Sequence, residues 1–197
     1  IDPPTSDVTA RCVGFLGKYG KSHHQHAVLR GISYLLREQE SNGAWFGRWG
    51  TNYIYGTWSV LEAFRLAKFD MQHKSVRHAV QWLESVQRAD GGWGETNDSY
   101  LDTKLAGQFP ETSTAFQTAW ATLGLMAAGE VDSESVRRGI NYLLRTQSSD
   151  HLWEEPWFTA PGFPRVFYLR YHGYSKFFPI WALARYRALT RTVAACV

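Results

Sequence analysis

The chain reads as an all-α protein, a stacked or circular double layer of helices. Three observations predict this. One pattern recurs three times without a gap along the 197 residues. Amphipathic stretches alternate with stretches that are apolar around most of their circumference, as expected of outer and buried helices. No linker-like segment divides the chain.

The repeats are "GISYLLREQESNGAW" (31–45), "AVQWLESVQRADGGW" (79–93) and "GINYLLRTQSSDHLW" (139–153). Each runs small residue, two others, aromatic, Leu, three others, Gln, then Trp six places later, with Arg30, His78 behind Arg77, or Arg138 just before it. Each begins as an amphipathic helix: Val28, Ile32 and Leu35 recur at helical spacing, as do Val76, Val80 and Leu83, and Val136, Ile140 and Leu143. The helices are expected to end near Gln39, Gln87 and Gln147, where polar turns begin. Gly43 and Gly91 suit those turns, whereas the third copy has His151 at that place. Between and after the repeats, residues 55–69, 114–130 and 174–191 read as buried helices, and the long loop 94–113 is placed to cover a site.

The repeated pair has a physical reading. An amide at a helix C-terminus can bond a neighbouring backbone end while an indole packs over the junction. Gln39 and Trp45, Gln87 and Trp93, and Gln147 and Trp153 are thus expected to fasten consecutive outer helices, a structural role without chemistry.

Composition narrows the function classes. The net charge of +3 is small and scattered, so no nucleic-acid partner is expected. Cys12 and Cys196 form no metal or redox spacing and read as free thiols in a reducing compartment. The sequence starts "IDPPTSDV", with no signal-peptide pattern, and its longest weakly polar stretch, "TAWATLGLMAAG", is shorter than a membrane-spanning helix requires. A membrane-surface location stays open. Aromatic residues make up 15% of the chain, enough to make an aromatic cavity worth seeking.

Several clusters have plain readings. His23, His24 and His26 in "HHQH" lack further ligands and read as a surface helix start. Glu95, Asp98 and Asp102 invite a glycosidase reading, but a solvated loop explains them. Asp7 and Arg11 are spaced for an ion pair one helical turn apart. Phe167, Tyr171 and Tyr174 are spaced to share one helical face, for which core packing is the simpler reading.

The Gln-to-Trp repeat resembles the QW motif of the triterpene cyclases. "IDPPTSDVTAR", "WFGRWGTNYIYGTW", "DGGWGETNDSY" and "GFPRVFYLRYHGY…FFPIWALARY" together resemble the C-terminal part of a squalene–hopene cyclase, in the family's order and over almost the whole chain. The resemblance implies that residues 1–197 form part of an α/α-toroid barrel with QW repeats, incomplete without the upstream chain. It implies an enzyme that folds squalene or a related polyprene in a large cavity, protonates a terminal alkene and stabilises the travelling carbocation until proton loss or water capture. No metal or nucleotide cofactor is implied. A peripheral, monotopic position on the cytoplasmic side of a membrane is, and a homodimer is left open. The family's proton donor lies in an Asp-x-Asp-Asp motif, which this sequence does not contain. The fragment alone is therefore expected to be inactive.

A cation in a dry pocket is attracted to the negative faces of aromatic rings. The resemblance implies that Phe163 and Phe167 are such rings, that Tyr168, Tyr171 and Tyr174 line or brace the cavity, and that Leu169 shapes it. It puts Trp49 and Tyr55 near the initiation end, with Tyr55 in the network that reprotonates the acid; a core Trp and a helix-start Tyr are the plain readings. It puts Asp7 and Arg11 where the family has Asp and usually His, the His bonding the acid. Arginine departs from this, yet its permanent charge would hold a carboxylate's pKa down more firmly than histidine. A cyclase of another polyprene, and a non-catalytic α/α-toroid serving as binding or scaffold module, are the alternatives.

Overall fold

A computed structural model describes residues 3–108, 112–158 and 160–194; Cys196 lies outside them. Seven α-helices are found among these residues: α1 (Ser6–Tyr19), α2 (Gln25–Arg37), α3 (Tyr53–Leu66), α4 (Lys74–Ser85), α5 (Ala115–Ala127), α6 (Glu134–Thr146) and α7 (Tyr174–Ala194). Strands β1 (Ala160–Phe163) and β2 (Phe167–Leu169) form a hairpin between α6 and α7.

The helices form two layers. α1 packs on α3, α3 on α5 and α5 on α7, making an inner row. α2 lies against α1, α4 against α3 and α5, and α6 against α5 and α7. Inner α5 is buried at every residue, and α3 from Tyr53 to Phe64. The outer helices bury only a stripe, such as Val76, Val80 and Leu83 of α4 or Val136, Ile140 and Leu143 of α6. Hydrophobic periodicity thus set α3 and α5 apart from the outer helices, and the helix ends fall within two residues of Gln39, Gln87 and Gln147. Residues 174–191, expected to be buried, form α7 but leave Phe177, Ile180 and Trp181 exposed, because among the described residues α7 is covered mainly by α5 on one side.

The repeat turns work as fasteners. Gln39 Nε2 donates to the carbonyls of Gly43 and of Ser75, both at 2.8 Å. Gln87 Nε2 does the same to Gly91 at 2.8 Å and Ser135 at 2.9 Å. Ser75 and Ser135 lie in the first turns of α4 and α6, so each amide reaches the next outer helix. The indoles of Trp45, Trp93 and Trp153 donate back to Leu35, Leu83 and Leu143, at 2.6, 2.7 and 3.0 Å. The backbone N–H groups of Trp45 and Trp93 also bond the hydroxyls of Thr57 and Thr118 on the inner helices.

His151 explains the odd third turn. Gly43 and Gly91 adopt φ of +97° and +90°, and a Cβ on either would come within 2.9 Å of the backbone of the following outer helix. His151 takes the same left-handed conformation, φ +64°, but Gln147 bonds only the His151 carbonyl, at 2.8 Å. Among the described residues no outer helix follows to press against the turn, and a side chain is accommodated there.

Another expectation fails. Residues 163–169 are not helical, so Phe167, Tyr171 and Tyr174 do not share a helix face. Pro161, Gly162 and Pro164 break the pattern, and the chain turns through Arg165 at φ +69°. The register pairs Ala160 with Leu169, Pro161 with Tyr168 and Phe163 with Phe167.

Candidate functional site

Aromatic side chains converge where the N-terminal halves of α3, α5 and α7 meet. Trp58 and Trp120 stack nearly parallel, 6.1 Å apart at 6°. Tyr55 meets Trp120 edge-on at 5.0 Å, Phe178 lies 5.4 Å from both indoles, and Tyr174 lies 5.6 Å from Trp120. Trp58 and Trp120 are fully buried, so they form a floor. Trp58, Trp120 and Phe178 were not singled out in the sequence, because tryptophan at helical spacing inside an apolar helix looks like ordinary core.

Over this floor lies a cation. The Arg11 guanidinium sits 4.4 Å from the Trp58 ring and 5.6 Å from that of Tyr55. Arg11 makes no ion pair among the described residues, so the expected Asp7–Arg11 pair does not form. The Asp7 carboxylate is occupied otherwise. One oxygen accepts from the Thr5 hydroxyl at 2.6 Å and the Val8 N–H at 3.0 Å. The other accepts from the N–H groups of Arg48 and Trp49, at 3.0 and 2.8 Å. Buried Asp7 therefore anchors the turn that carries Trp49.

The hairpin adds a second, open group of rings. Phe163 and Phe167 lie 5.5 Å apart and are 52% and 45% exposed. Arg48 bridges them to the Trp49 turn, 4.6 Å from Trp49 and 5.7 Å from Phe163. Trp49 is itself partly exposed, which the core reading did not anticipate. Tyr171 touches Tyr174 at 5.1 Å and so extends the first group. Burial raises the Tyr174 phenol's pKa, with Tyr55 and Tyr171 adding to the effect and Arg11 opposing it. Tyr168 stacks on Tyr100 at 6.3 Å, and Leu169 is exposed at the end of β2. The structure thus gathers Arg11, Tyr55, Tyr171 and Tyr174 on one side, and Trp49, Phe163 and Phe167 on the other.

Two carboxylates were misread or passed over. Glu95 is not in a solvated loop but fully buried. It accepts from the N–H groups of Asn52, Tyr53 and Ile54, at 3.2, 2.9 and 2.9 Å, capping α3. Asp98 and Asp102 are exposed and bond only within their own turns, as expected. Glu155 likewise caps α5, accepting from the N–H groups of Ala115 and Phe116. The signal was in the sequence: each glutamate stands two places after a repeat tryptophan, Trp93 or Trp153. The first copy has Gly47 there instead.

Glu155 lines an open pocket of about 490 Å³ with Phe116, Trp157, Tyr171 and Tyr174. Burial raises its pKa from 4.5 to about 7, against the opposing pull of the two N–H bonds. Between those values an unfolded Glu155 is ionised and the folded one keeps its proton, so folding takes up a proton. Its contribution to stability is therefore whole below pH 4.5 and lost as pH rises to about 7. Glu155→Gln keeps an acceptor for α5 and should flatten this slope. Thermal unfolding from about pH 5 to about pH 7.5 checks it, and identical slopes for both proteins would refute the assignment.

His23 and His24 belong to a 3-10 turn that leads into α2, with His24 Nδ1 accepting from the Lys21 N–H at 2.9 Å. No helix among the described residues is long and apolar enough to cross a membrane.

With this geometry in place, comparison with known proteins is decisive on family. Residues 1–188 match the family model for the squalene-hopene cyclase C-terminal domain. The chain belongs to that family. It is 59% identical over 194 residues to a probable squalene–hopene cyclase of Sinorhizobium fredii, covering 98% of this chain and 30% of that relative. It is 55% identical over 192 residues to the squalene–hopene cyclase of Zymomonas mobilis, covering 97% of this chain and 29% of that protein. This member of the cyclase family thus spans about 30% of the length of the curated relatives it matches. Its fold is similar to that of ent-copalyl diphosphate synthase from Streptomyces platensis, with a TM-score of 0.64 at 20% identity over 81% of this chain and 30% of that one. The likeness supports an arc of a helical α/α barrel, as the repeats suggested.

Proposed function

We propose that the chain supplies one wall of a triterpene cyclase cavity, in which squalene or a related polyprene is cyclised by alkene protonation. The observation that carries this reading is the half-exposed aromatic surface of Phe163 and Phe167 joined through Arg48 to Trp49, together with the second aromatic group of Tyr55, Trp58, Trp120 and Tyr174. Such rings suit a carbocation because they stabilise positive charge without offering a lone pair that the cation would alkylate. Protonation of a terminal alkene makes a tertiary cation. Successive double bonds donate their π electrons to it, closing rings and moving the charge along the chain. Loss of a proton, or addition of water followed by proton loss, ends the sequence.

The acid comes from outside this sequence, on the family's Asp-x-Asp-Asp pattern. In this reading Arg11 lowers the pKa of that acid, so that it yields its proton to the alkene more readily, since the guanidinium is charged and not engaged in an ion pair among the described residues. Tyr55, beside Arg11, would belong to the hydrogen-bond network through which water returns the proton to the acid. Asp7 acts indirectly, by fixing the Trp49 turn. Residues 1–197 form one part of the barrel domain, and a substrate this apolar favours work at a membrane surface, on its cytoplasmic side. Incubating the complete protein with squalene and identifying the products by mass spectrometry tests the reading. Polycyclic hydrocarbons or alcohols are expected; unconverted squalene beside a cyclised longer or shorter polyprene would reassign the substrate, and no conversion of any would overturn the reading.

A further inference from the structure

The hairpin that carries Phe163 and Phe167 has little of its own to hold it. Its strands span four and three residues, and Pro161 has no N–H for the ladder. Both rings face outward by about half their surface. At the tip, Arg165 adopts φ +69°, a conformation that residues with a Cβ avoid unless other contacts hold them in it.

Those contacts are specific. Arg165 Nε donates to the carbonyl of Tyr100 at 2.7 Å, and the Arg165 N–H donates to the Tyr168 hydroxyl at 3.2 Å. The Tyr168 ring in turn stacks on that of Tyr100. Tyr100 is buried and fastened on its other side to the turn that carries Trp49. Its hydroxyl donates to the Gly47 carbonyl at 2.7 Å and lies 3.2 Å from that of Gly50. One continuous set of bonds therefore runs from the Trp49 turn, through Tyr100, to the hairpin tip.

We infer that Arg165 is a positioning residue: its bond to the Tyr100 carbonyl latches the hairpin and fixes where Phe163 and Phe167 stand relative to Trp49. The latch is independent of the proposed chemistry; its consequence for products rests on that reading. Arg165→Gly and Arg165→Lys in the complete protein test both. Glycine takes the left-handed φ without strain, so the turn survives and only the side-chain bond is lost. Lysine keeps a cationic donor of similar reach.

Hydrogen exchange over residues 160–169 should speed up about tenfold in the glycine variant and stay near the parent in the lysine variant, with α5 unchanged in both. With squalene, the glycine variant should shift the ratio of early-terminated to full-length products by about tenfold, with KM changed less than about threefold. Lysine should restore the ratio. A merely structural role would lower total turnover and leave the ratio alone. Unchanged hairpin exchange in the glycine variant overturns the latch. Faster exchange with an unchanged product ratio overturns the positioning role. If the parent protein converts no polyprene, the functional reading fails, and the exchange result still decides whether Arg165 holds the hairpin.

Discussion

Glu95→Ala should unfold the protein more readily than any loop substitution, because it removes the one acceptor shared by three N–H groups at the start of α3. Those donors are sealed from water and have no replacement partner. Leaving them unmade costs about 4 kcal/mol, a large share of the stability of an ordinary domain. Glu95→Gln should cost less, since one oxygen remains while its amide NH2 opposes the donors. The glutamate also has its own peptide bracketed by Gln117, which accepts from its N–H and donates to its carbonyl, both at 2.9 Å. The loss therefore spreads from α3 to α5. Thermal unfolding of the complete protein measures it; a melting temperature for the alanine variant within about 2 °C of the parent would refute the capping role.

Phe167→Ala should change what is made rather than whether anything is made. A well-placed ring in a dry cavity stabilises a cation by about 2 kcal/mol, so its removal should shift the partition between continued cyclisation and premature proton loss by roughly 30-fold. Phe167 leans on Phe163 and lies against Gly162, where a Cβ would come 2.0 Å from the Phe167 ring. The ring thus has a defined seat, and Phe167→Tyr should keep the parent products. Gas chromatography with mass spectrometry of the squalene products reads the ratio. The same product distribution in Phe167→Ala would remove Phe167 from the cation-stabilising set.

Much of the fold was legible because it is periodic. The outer helices declare themselves through stripes such as Val76, Val80 and Leu83, and the fasteners through a glutamine and a tryptophan at constant separation. The hairpin was not legible, because Phe167, Tyr171 and Tyr174 fall at helical spacing by coincidence while Pro161, Gly162 and Pro164 decide the backbone. The site was partly legible. Phe163, Phe167 and Trp49 were named from the resemblance, and the structure brings them to one surface. Spacing alone misjudged two charged residues. Asp7 and Arg11 stand one helical turn apart, but the turn at Arg48 and Trp49 offers Asp7 better-oriented N–H donors, and Trp58 offers Arg11 a ring face. Glu95 looked soluble because it follows a glycine-rich turn; what decides its burial is a helix end more than forty residues earlier, invisible to any local pattern.

The repeat turns have an architectural consequence. The Gln87 to Glu95 turn holds four helices at once: its indole grips α4, its amide grips α6, its glutamate grips α3, and its backbone is bonded by Gln117 and Thr118 of α5. The joints therefore overlap like bonded masonry, each tie crossing the seam between its neighbours. A repeat lifted out whole would leave one helix start uncapped behind it and one outer helix unmoored ahead of it. Lengthening or shortening such a wall by complete repeats would demand that both seams be rebuilt together.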